Sequence, residues 1–245
     1  QQSKGCKVIR ATIEHDLTTP KGLHWLTSQI RKIPKSVKIL LWGAIPCTGG
    51  IQWARVNLKR FPDSFPEKLE AHHLEWRTLF NYFMPLARKI RKRGGYWALE
   101  WPSTCSYWKW DVVTEFLATE AEAGVHKAKA TGCAFGLKAL LGRDAGKMMT
   151  KAWKVVSTLP NLVEFLDRPQ CECPPGTPHC DATGSNTIET GRYTPKLARH
   201  VHRAFRAVVK GSGFIAVPSS SSSDSKELGS STGKSAPAPK VSRNC

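Results

Sequence analysis

Two residues, Cys47 and Glu100, have the types and positions that covalent catalysis requires. Cys47 follows an apolar segment, residues 37–44, and Glu100 lies at the end of a second one that starts at Tyr96. Ligands in open α/β sheets bind at the carboxyl ends of the strands. If both segments are strands of one sheet, a thiol nucleophile and an acid lie at the same edge. A buried and inert thiol is the alternative interpretation of Cys47, because free cysteine is among the most buried residue types.

The elements that must position these residues alternate between strands and helices. We predict helices at residues 20–32, 67–93, 107–123 and 194–209, and strands at 37–44, 96–100, 125–137 and 151–157. The stretch from 48 to 66 contains several glycines and prolines and is predicted to be a loop. Strands that alternate with helices are typical of βαβ units, so the predicted fold class is α/β with a parallel, Rossmann-like sheet.

Composition divides the chain into three parts. Residues 1–136 hold the predicted α/β core, and residues 137–210 form a small irregular region with a Cys-rich loop and a basic helix. Residues 211–245 are rich in Ser, Pro and Lys, so we expect a disordered tail. The sequence begins with Gln1 rather than Met, from which we expect a fragment or a processed product.

Two segments of the predicted core resemble the catalytic segments of the cytosine-5 DNA methyltransferases. Residues 39–50, Ile-Leu-Leu-Trp-Gly-Ala-Ile-Pro-Cys-Thr-Gly-Gly, resemble the Pro-Cys segment of that family. Residues 96–101, Tyr-Trp-Ala-Leu-Glu-Trp, resemble its Glu-Asn-Val segment, and the helix between the two has the expected length. Residues 192–199 resemble more faintly the segment before the last helix of the family. The chain is also similar to methyltransferase-like segments of mobile-element polyproteins.

The resemblance implies an S-adenosylmethionine-dependent methyltransferase fold, incomplete at its N-terminus, that methylates cytosine C5 in DNA. Cys47 would be the nucleophile that adds to C6 of a flipped cytosine, and Glu100 the acid that engages N3 of the ring. S-adenosylmethionine would be the cofactor, with Asp16 and Pro46 as its contacts. Asp16 follows a strand-like segment, residues 8–13, and matches the acid that holds the adenine amino group in the family.

Three residues depart from the family pattern. Ile45 replaces the first of two prolines, Thr48 stands where glutamine is usual, and Trp101 replaces the asparagine that helps to fix the catalytic loop. No Gly-rich cofactor loop precedes Cys47 in the sequence. These departures leave open a decayed methyltransferase or a non-catalytic nucleic-acid-binding segment of a mobile-element polyprotein. A Cys–His hydrolase is a third alternative, although no motif names its histidine.

The net charge of +18, from 37 Lys and Arg against 19 Asp and Glu, favours a polyanionic partner. Nucleic acid is the predicted partner, with DNA favoured over RNA, and a basic surface kept for solubility is the alternative. The predicted contacts are Gln52, Arg55 and Lys59 in the loop after the Pro-Cys segment, and Lys127 and Lys129 in the strand-rich segment.

The location that we predict is intracellular and nuclear. Eight cysteines are spread along the chain rather than concentrated in a small framework, which favours a reducing compartment. A DNA substrate then favours the nucleus. No apolar run approaches the length of a membrane span, so we expect no membrane partner.

A second candidate site lies in the Cys-rich loop. Four soft or borderline ligands fall within ten residues there: Cys171, Cys173, His179 and Cys180. Zinc takes four such ligands in tetrahedral geometry, so the loop predicts zinc as a second cofactor. The spacing is not that of a standard zinc finger, and a Cys-rich loop without metal is the alternative.

Overall fold

A mixed four-stranded sheet organises the fold. The computed structural model describes residues 6–182, 186, 191 and 193–209. Its strands are β1 (Leu40–Gly43), β2 (Tyr96–Pro102), β3 (His126–Thr131), β4 (Met148–Met149), β5 (Ala152–Ser157) and β6 (His179–Cys180). The order in the main sheet is β1-β2-β5-β3, whereas β4 and β6 pair with each other. The α/β class is therefore as predicted.

The direction of the strands differs in part from the prediction. β1 and β2 are parallel, with Leu40 opposite Tyr96 and Gly43 opposite Leu99, as the sequence indicated. β5 is antiparallel to both β2 and β3, so the prediction of a parallel sheet is wrong for this half. Parallel neighbours need a crossover connection, usually an α-helix, and the described segment between β3 and β5 contains no α-helix.

The predicted boundary at residue 136 falls inside this sheet. β5 comes from the region that was expected to be separate and irregular, yet it lies between β2 and β3. It completes the core because Trp153, Val155 and Val156 are buried in it. The predicted disordered tail, residues 211–245, lies outside the described residues.

Six α-helices are described around the sheets. They are α1 (Pro20–Arg31), α2 (Gln52–Arg60), α3 (Phe65–Lys92), α4 (Asp111–Thr119), α5 (Pro160–Asp167) and α6 (Pro195–Val209). α2 occupies most of the predicted loop 48–66. The glycines form only a 3₁₀ turn, Thr48–Gly50, and the nine residues of α2 contain neither Gly nor Pro. None of the described helices combines the length and the apolar character that a membrane span requires.

Side chains of β2 alternate between two hydrophobic clusters, as the two-residue period of a strand requires. Trp97, Leu99 and Trp101 belong to an aromatic cluster with side chains of α3 and α4. Ala98 belongs to a second cluster, with side chains of α5 and α6. Glu100 shares the parity of Ala98 and therefore faces the α5–α6 layer.

Candidate active site at the carboxyl edge of the sheet

Cys47 lies just beyond the carboxyl end of β1, where two hydrogen bonds fix the backbone on either side of it. Gly50 N donates to the Cys47 carbonyl oxygen over 2.8 Å and closes the 3₁₀ turn. The indole nitrogen of Trp101, on β2, donates to the Ile45 carbonyl oxygen over 2.8 Å. The thiol-bearing segment is thus tied to the neighbouring strand through the Trp101 side chain.

Two glycines allow this segment to lie against the aromatic cluster. A Cβ atom on Gly50 would lie 2.6 Å from Cys105 Sγ, and one on Gly49 would lie 2.6 Å from the Tyr107 hydroxyl oxygen. Real Cβ contacts are not this short, so a larger residue at either position would displace the turn. The close approach brings a second thiol near the first, and burial raises the pKa of Cys105 to about 12.

Glu100 is a buried acid, and a series of two hydrogen bonds holds its carboxyl group. Its residue is only 7% exposed, and the Tyr193 hydroxyl donates to its carboxylate. The indole nitrogen of Trp42 donates in turn to the Tyr193 oxygen over 3.0 Å. Buried carboxyl groups need hydrogen-bond partners. Here Trp42 on β1 and Tyr193 in the segment before α6 together orient the Glu100 carboxyl group.

Lys151, just before β5, joins Cys47 and Glu100 electrostatically. Burial raises the pKa of the Cys47 thiol, Glu100 raises it further, and Lys151 opposes both. Burial also raises the pKa of Glu100, against the effects of the Tyr193 hydrogen bond and Lys151. Burial lowers the pKa of Lys151, and its two acidic neighbours oppose that shift. The charges of the three groups therefore act on one another, and burial favours the protonated forms of both Glu100 and Cys47.

The predicted contacts on α2 line a cleft beside this site. Its volume is about 500 Å³, and its walls include Gly50, Gln52, Arg55, Val56, Lys59 and Thr104. The three predicted residues are thus brought together, although on a helix rather than on a loop. Gly50 follows Cys47 by three residues, so the cleft adjoins the thiol segment.

Lys127 and Lys129 line a second cleft, with a volume of about 250 Å³. Its walls are Ser103, Lys127, Ala128, Lys129, Lys154 and Asp167. Lys129 lies directly opposite Lys154 in the β3–β5 pair. Like charges in that position destabilise a sheet, and a bound anion would relieve the repulsion. Burial and Lys127 both lower the pKa of Lys154.

Asp16 and Pro46, the residues predicted to bind S-adenosylmethionine, do not lie in the surroundings that the resemblance implies for them. Residues 6–12 are in no strand, so Asp16 does not follow one. Its carboxylate instead accepts hydrogen bonds from the backbone nitrogen and hydroxyl of Thr18. Pro46 lies beside Cys47, but no Gly-rich loop follows a strand anywhere in the described residues before β1. The described residues therefore do not fit this cofactor.

Cys133, Cys171 and His179 form a group that could hold a metal ion, with ligand atoms within 4.8 Å of one another. Cys133 was not predicted, and it takes the place of Cys180. His179 and Cys180 are successive residues of β6, so their side chains point to opposite faces, which explains the correction. The predicted Cys173 lies beside the group, because its thiol is hydrogen-bonded to Cys171. Hydrogen bonds from Cys173 and Cys133 lower the pKa of Cys171 to about 7.

Sequence reasoning missed three residues of these sites. Tyr193 falls in the segment that faintly resembles the family, but nothing in that segment pointed to Glu100. Lys151 gave no signal, since it begins a predicted strand like any other flanking lysine. Cys133 gave a weak one, as a cysteine between two glycines near the end of the predicted strand 125–137.

Comparisons with known proteins assign no family to this chain. No family model matches it, and no curated protein or solved structure matches it either. Its chemistry is therefore interpreted from the geometry of its own residues.

Proposed function

We propose that this chain acts on nucleic acid by covalent attack of Cys47 on C6 of a cytosine, in the manner of the cytosine-5 DNA methyltransferases that its sequence resembles. The observation that carries the proposal is the electrostatic coupling of Cys47, Glu100 and Lys151 at the adjacent carboxyl ends of two parallel strands. A nucleophile, a neutral acid and a cation are the groups that addition to a pyrimidine ring needs.

The step begins when the Cys47 thiol loses its proton to solvent. The thiolate sulfur forms a bond to C6, and the electrons of the C5–C6 double bond move toward C4 and onto N3. Burial favours the protonated form of Glu100, and in this form Glu100 donates its proton to N3. The product is a neutral enamine in which C5 is nucleophilic, while Lys151 stabilises the carboxylate that Glu100 becomes.

The directions of the strands and the two basic clefts also support this proposal. Antiparallel strands on one side of an otherwise parallel sheet occur in many doubly wound folds. A sheet with β1 and β2 parallel and β5 and β3 added beyond them is therefore compatible with one half of a methyltransferase-like sheet. The target base must leave a duplex to reach such a site, and the basic clefts that Ser103 and Thr104 line would hold the backbone.

Methyl transfer itself would require S-adenosylmethionine, which supplies an electrophilic methyl group when bound. Because the described residues do not fit that cofactor, we derive no step through it. The proposal is limited to base binding and covalent addition, both of which this chain's own residues could perform.

The test is covalent trapping without a methyl donor. An oligonucleotide carrying 2-pyrimidinone in place of cytosine lacks the 4-amino group and is more electrophilic at C6, so addition should yield an adduct visible by intact-protein mass spectrometry. Cys47→Ser should abolish it, because a hydroxyl is a far weaker nucleophile at neutral pH. Cys180→Ser, which changes a half-buried thiol outside the site, should leave it intact. Binding without any adduct would contradict the proposal.

A non-catalytic nucleic-acid-binding module is the second candidate. The observation that favours it is the opposition of Lys129 and Lys154 beside Lys127, which needs no chemistry at Cys47. The two candidates separate in the same experiment, because a binding module retains its affinity in Cys47→Ser and forms no adduct in either protein.

For the group of Cys133, Cys171 and His179, we propose zinc as the metal. Thiolate and imidazole together are the ligand set that zinc takes in structural sites.

A further inference from the structure

We propose that Cys133, Cys171, Cys173 and His179 form a closed, four-ligand structural zinc site that fastens the Cys-rich loop to the end of β3. The inference deepens the zinc proposal above by naming the complete ligand set and its role. It is independent of the chemistry at Cys47.

The distances agree with tetrahedral coordination. Cys171 Sγ lies 3.3 Å from His179 Nε2. Two ligands at ordinary zinc–sulfur and zinc–nitrogen distances, held at the tetrahedral angle, are about 3.5 Å apart. The Cys133 thiol is within 4.8 Å of both other ligand atoms and hydrogen-bonded to Cys171. Small movements of exposed side chains would therefore bring the ligands into coordination.

Cys173 supplies the fourth ligand in this proposal, because it follows Cys171 by two residues and its thiol interacts with that of Cys171. Its sulfur lies outside the group of ligand atoms within 4.8 Å, so its side chain turns toward the other three when the metal binds. The Cys173 thiol is hydrogen-bonded to the Cys171 thiol, and it interacts electrostatically with Cys133. Zinc in structural sites has four protein ligands, and three thiols with one imidazole are a common set. A site filled in this way has no open position for water or substrate, so its role is structural.

The orientation of His179 supports the same assignment. Its Nδ1 atom lies 2.8 Å from the Thr177 carbonyl oxygen, which can only accept a hydrogen bond. Nδ1 therefore carries the proton, and the lone pair of Nε2 points toward Cys171. A histidine that binds metal through one nitrogen usually donates the other N–H to a carbonyl or carboxylate in this way.

The ligands come from two separate parts of the fold. Cys133 is buried in the 3₁₀ turn Cys133–Phe135 that follows β3. Cys171 and Cys173 lie in an irregular segment, and His179 lies on β6, whose partner β4 has only two residues. A metal ion would supply the stability that so short a pair of strands cannot provide.

Metal content and affinity test the ligand set. The full chain, purified without chelator, should carry one equivalent of zinc by elemental analysis. Cys133→Ser and Cys173→Ser should each weaken zinc at least about 10-fold in competition with a chromophoric chelator, since even the loss of a supporting contact can cost that much. Cys180→Ser is the matched control, and it should retain wild-type affinity. Cobalt in place of zinc should give the absorption bands of tetrahedral coordination with sulfur ligands.

These measurements test the presence of the metal and the identity of its ligands separately. A chain without zinc, which also fails to bind added zinc or cobalt, would overturn the proposal that a metal occupies the group. Zinc that is lost in Cys180→Ser but kept in Cys133→Ser would overturn this ligand set and leave the metal in place. A variant that fails to fold is recognised by its circular dichroism, and cobalt spectra of the wild-type protein then still report the number of sulfur ligands.

Discussion

Trp101 donates its indole N–H to the carbonyl oxygen of Ile45, so that two residues that depart from the pattern of the family the sequence resembles are bonded to each other. The indole belongs to the aromatic cluster, so the bond ties the segment before Cys47 to the packed face of β2. The two residues are therefore compatible with each other.

The first prediction concerns this hydrogen bond. Trp101→Phe removes the donor and leaves a carbonyl oxygen unsatisfied, which should cost about 1–3 kcal/mol of unfolding free energy in urea titrations. It should also loosen the segment, so that iodoacetamide modifies Cys47 severalfold faster. Trp97→Phe is the matched control, because it removes an indole bond to the Glu120 carboxylate near the start of β2, at the opposite end of the strand from the thiol segment. Equal alkylation rates in the two variants would show that Trp101 does not fix the segment.

The second prediction concerns the charges around Cys47. Lys151 lowers the pKa of the thiol and Glu100 raises it. Lys151→Met should therefore raise that pKa and slow alkylation at pH 8, whereas Glu100→Gln should lower it and speed alkylation, in both cases because the thiolate is the reactive form. The measurement is the pH dependence of Cys47 alkylation, followed by peptide mass spectrometry. Unchanged pH profiles in both variants would show that Lys151 and Glu100 do not affect the pKa of Cys47.

The third prediction concerns the buried acid. The pKa of Glu100 is raised in the folded state, so the folded protein holds its proton to higher pH than the unfolded chain does. Stability should then fall as pH rises from the unfolded pKa through the folded one, and level off above it. Glu100→Gln should remove this slope from urea midpoints measured between pH 4 and about 8. Tyr193→Phe should instead extend the slope to higher pH, because the lost hydrogen bond had lowered the pKa.

Local patterns in the sequence predicted the elements that bear Cys47 and Glu100. The apolar stripe of α3 and the apolar runs of β1 and β2 are signals within single segments, and their parallel pairing followed from the long helix between them. α2 was predicted as a loop because the glycines and prolines around it outweighed its own residues. The direction of β5 could not be read from its composition, since strands of either direction are apolar when buried.

The missed residues share a different cause. Tyr193 meets Glu100 across 93 positions of sequence, and Cys133 is 38 positions from Cys171, so tertiary packing alone brings them together. Nearby cysteines suggested Cys180 as a ligand by spacing. Because side chains alternate along β6, only His179 and not Cys180 faces the other ligands. This alternation depends on a strand pair of two residues that no sequence pattern indicates.

The fourth prediction concerns the cleft between β3 and β5. If Lys127, Lys129 and Lys154 contact phosphates, each Lys→Gln change should weaken duplex DNA binding and reduce the slope of log affinity against log salt by about 0.9. Affinity is measured by fluorescence anisotropy across a salt series. Lys147→Gln is the matched control, because Lys147 is already paired with Asp144 over 2.7 Å and lies outside the cleft. Wild-type affinity and slope in the triple variant would show that nucleic acid binds at another surface. If Lys147→Gln lowers the slope equally, the effect comes from the net charge of the protein and not from contacts at this cleft.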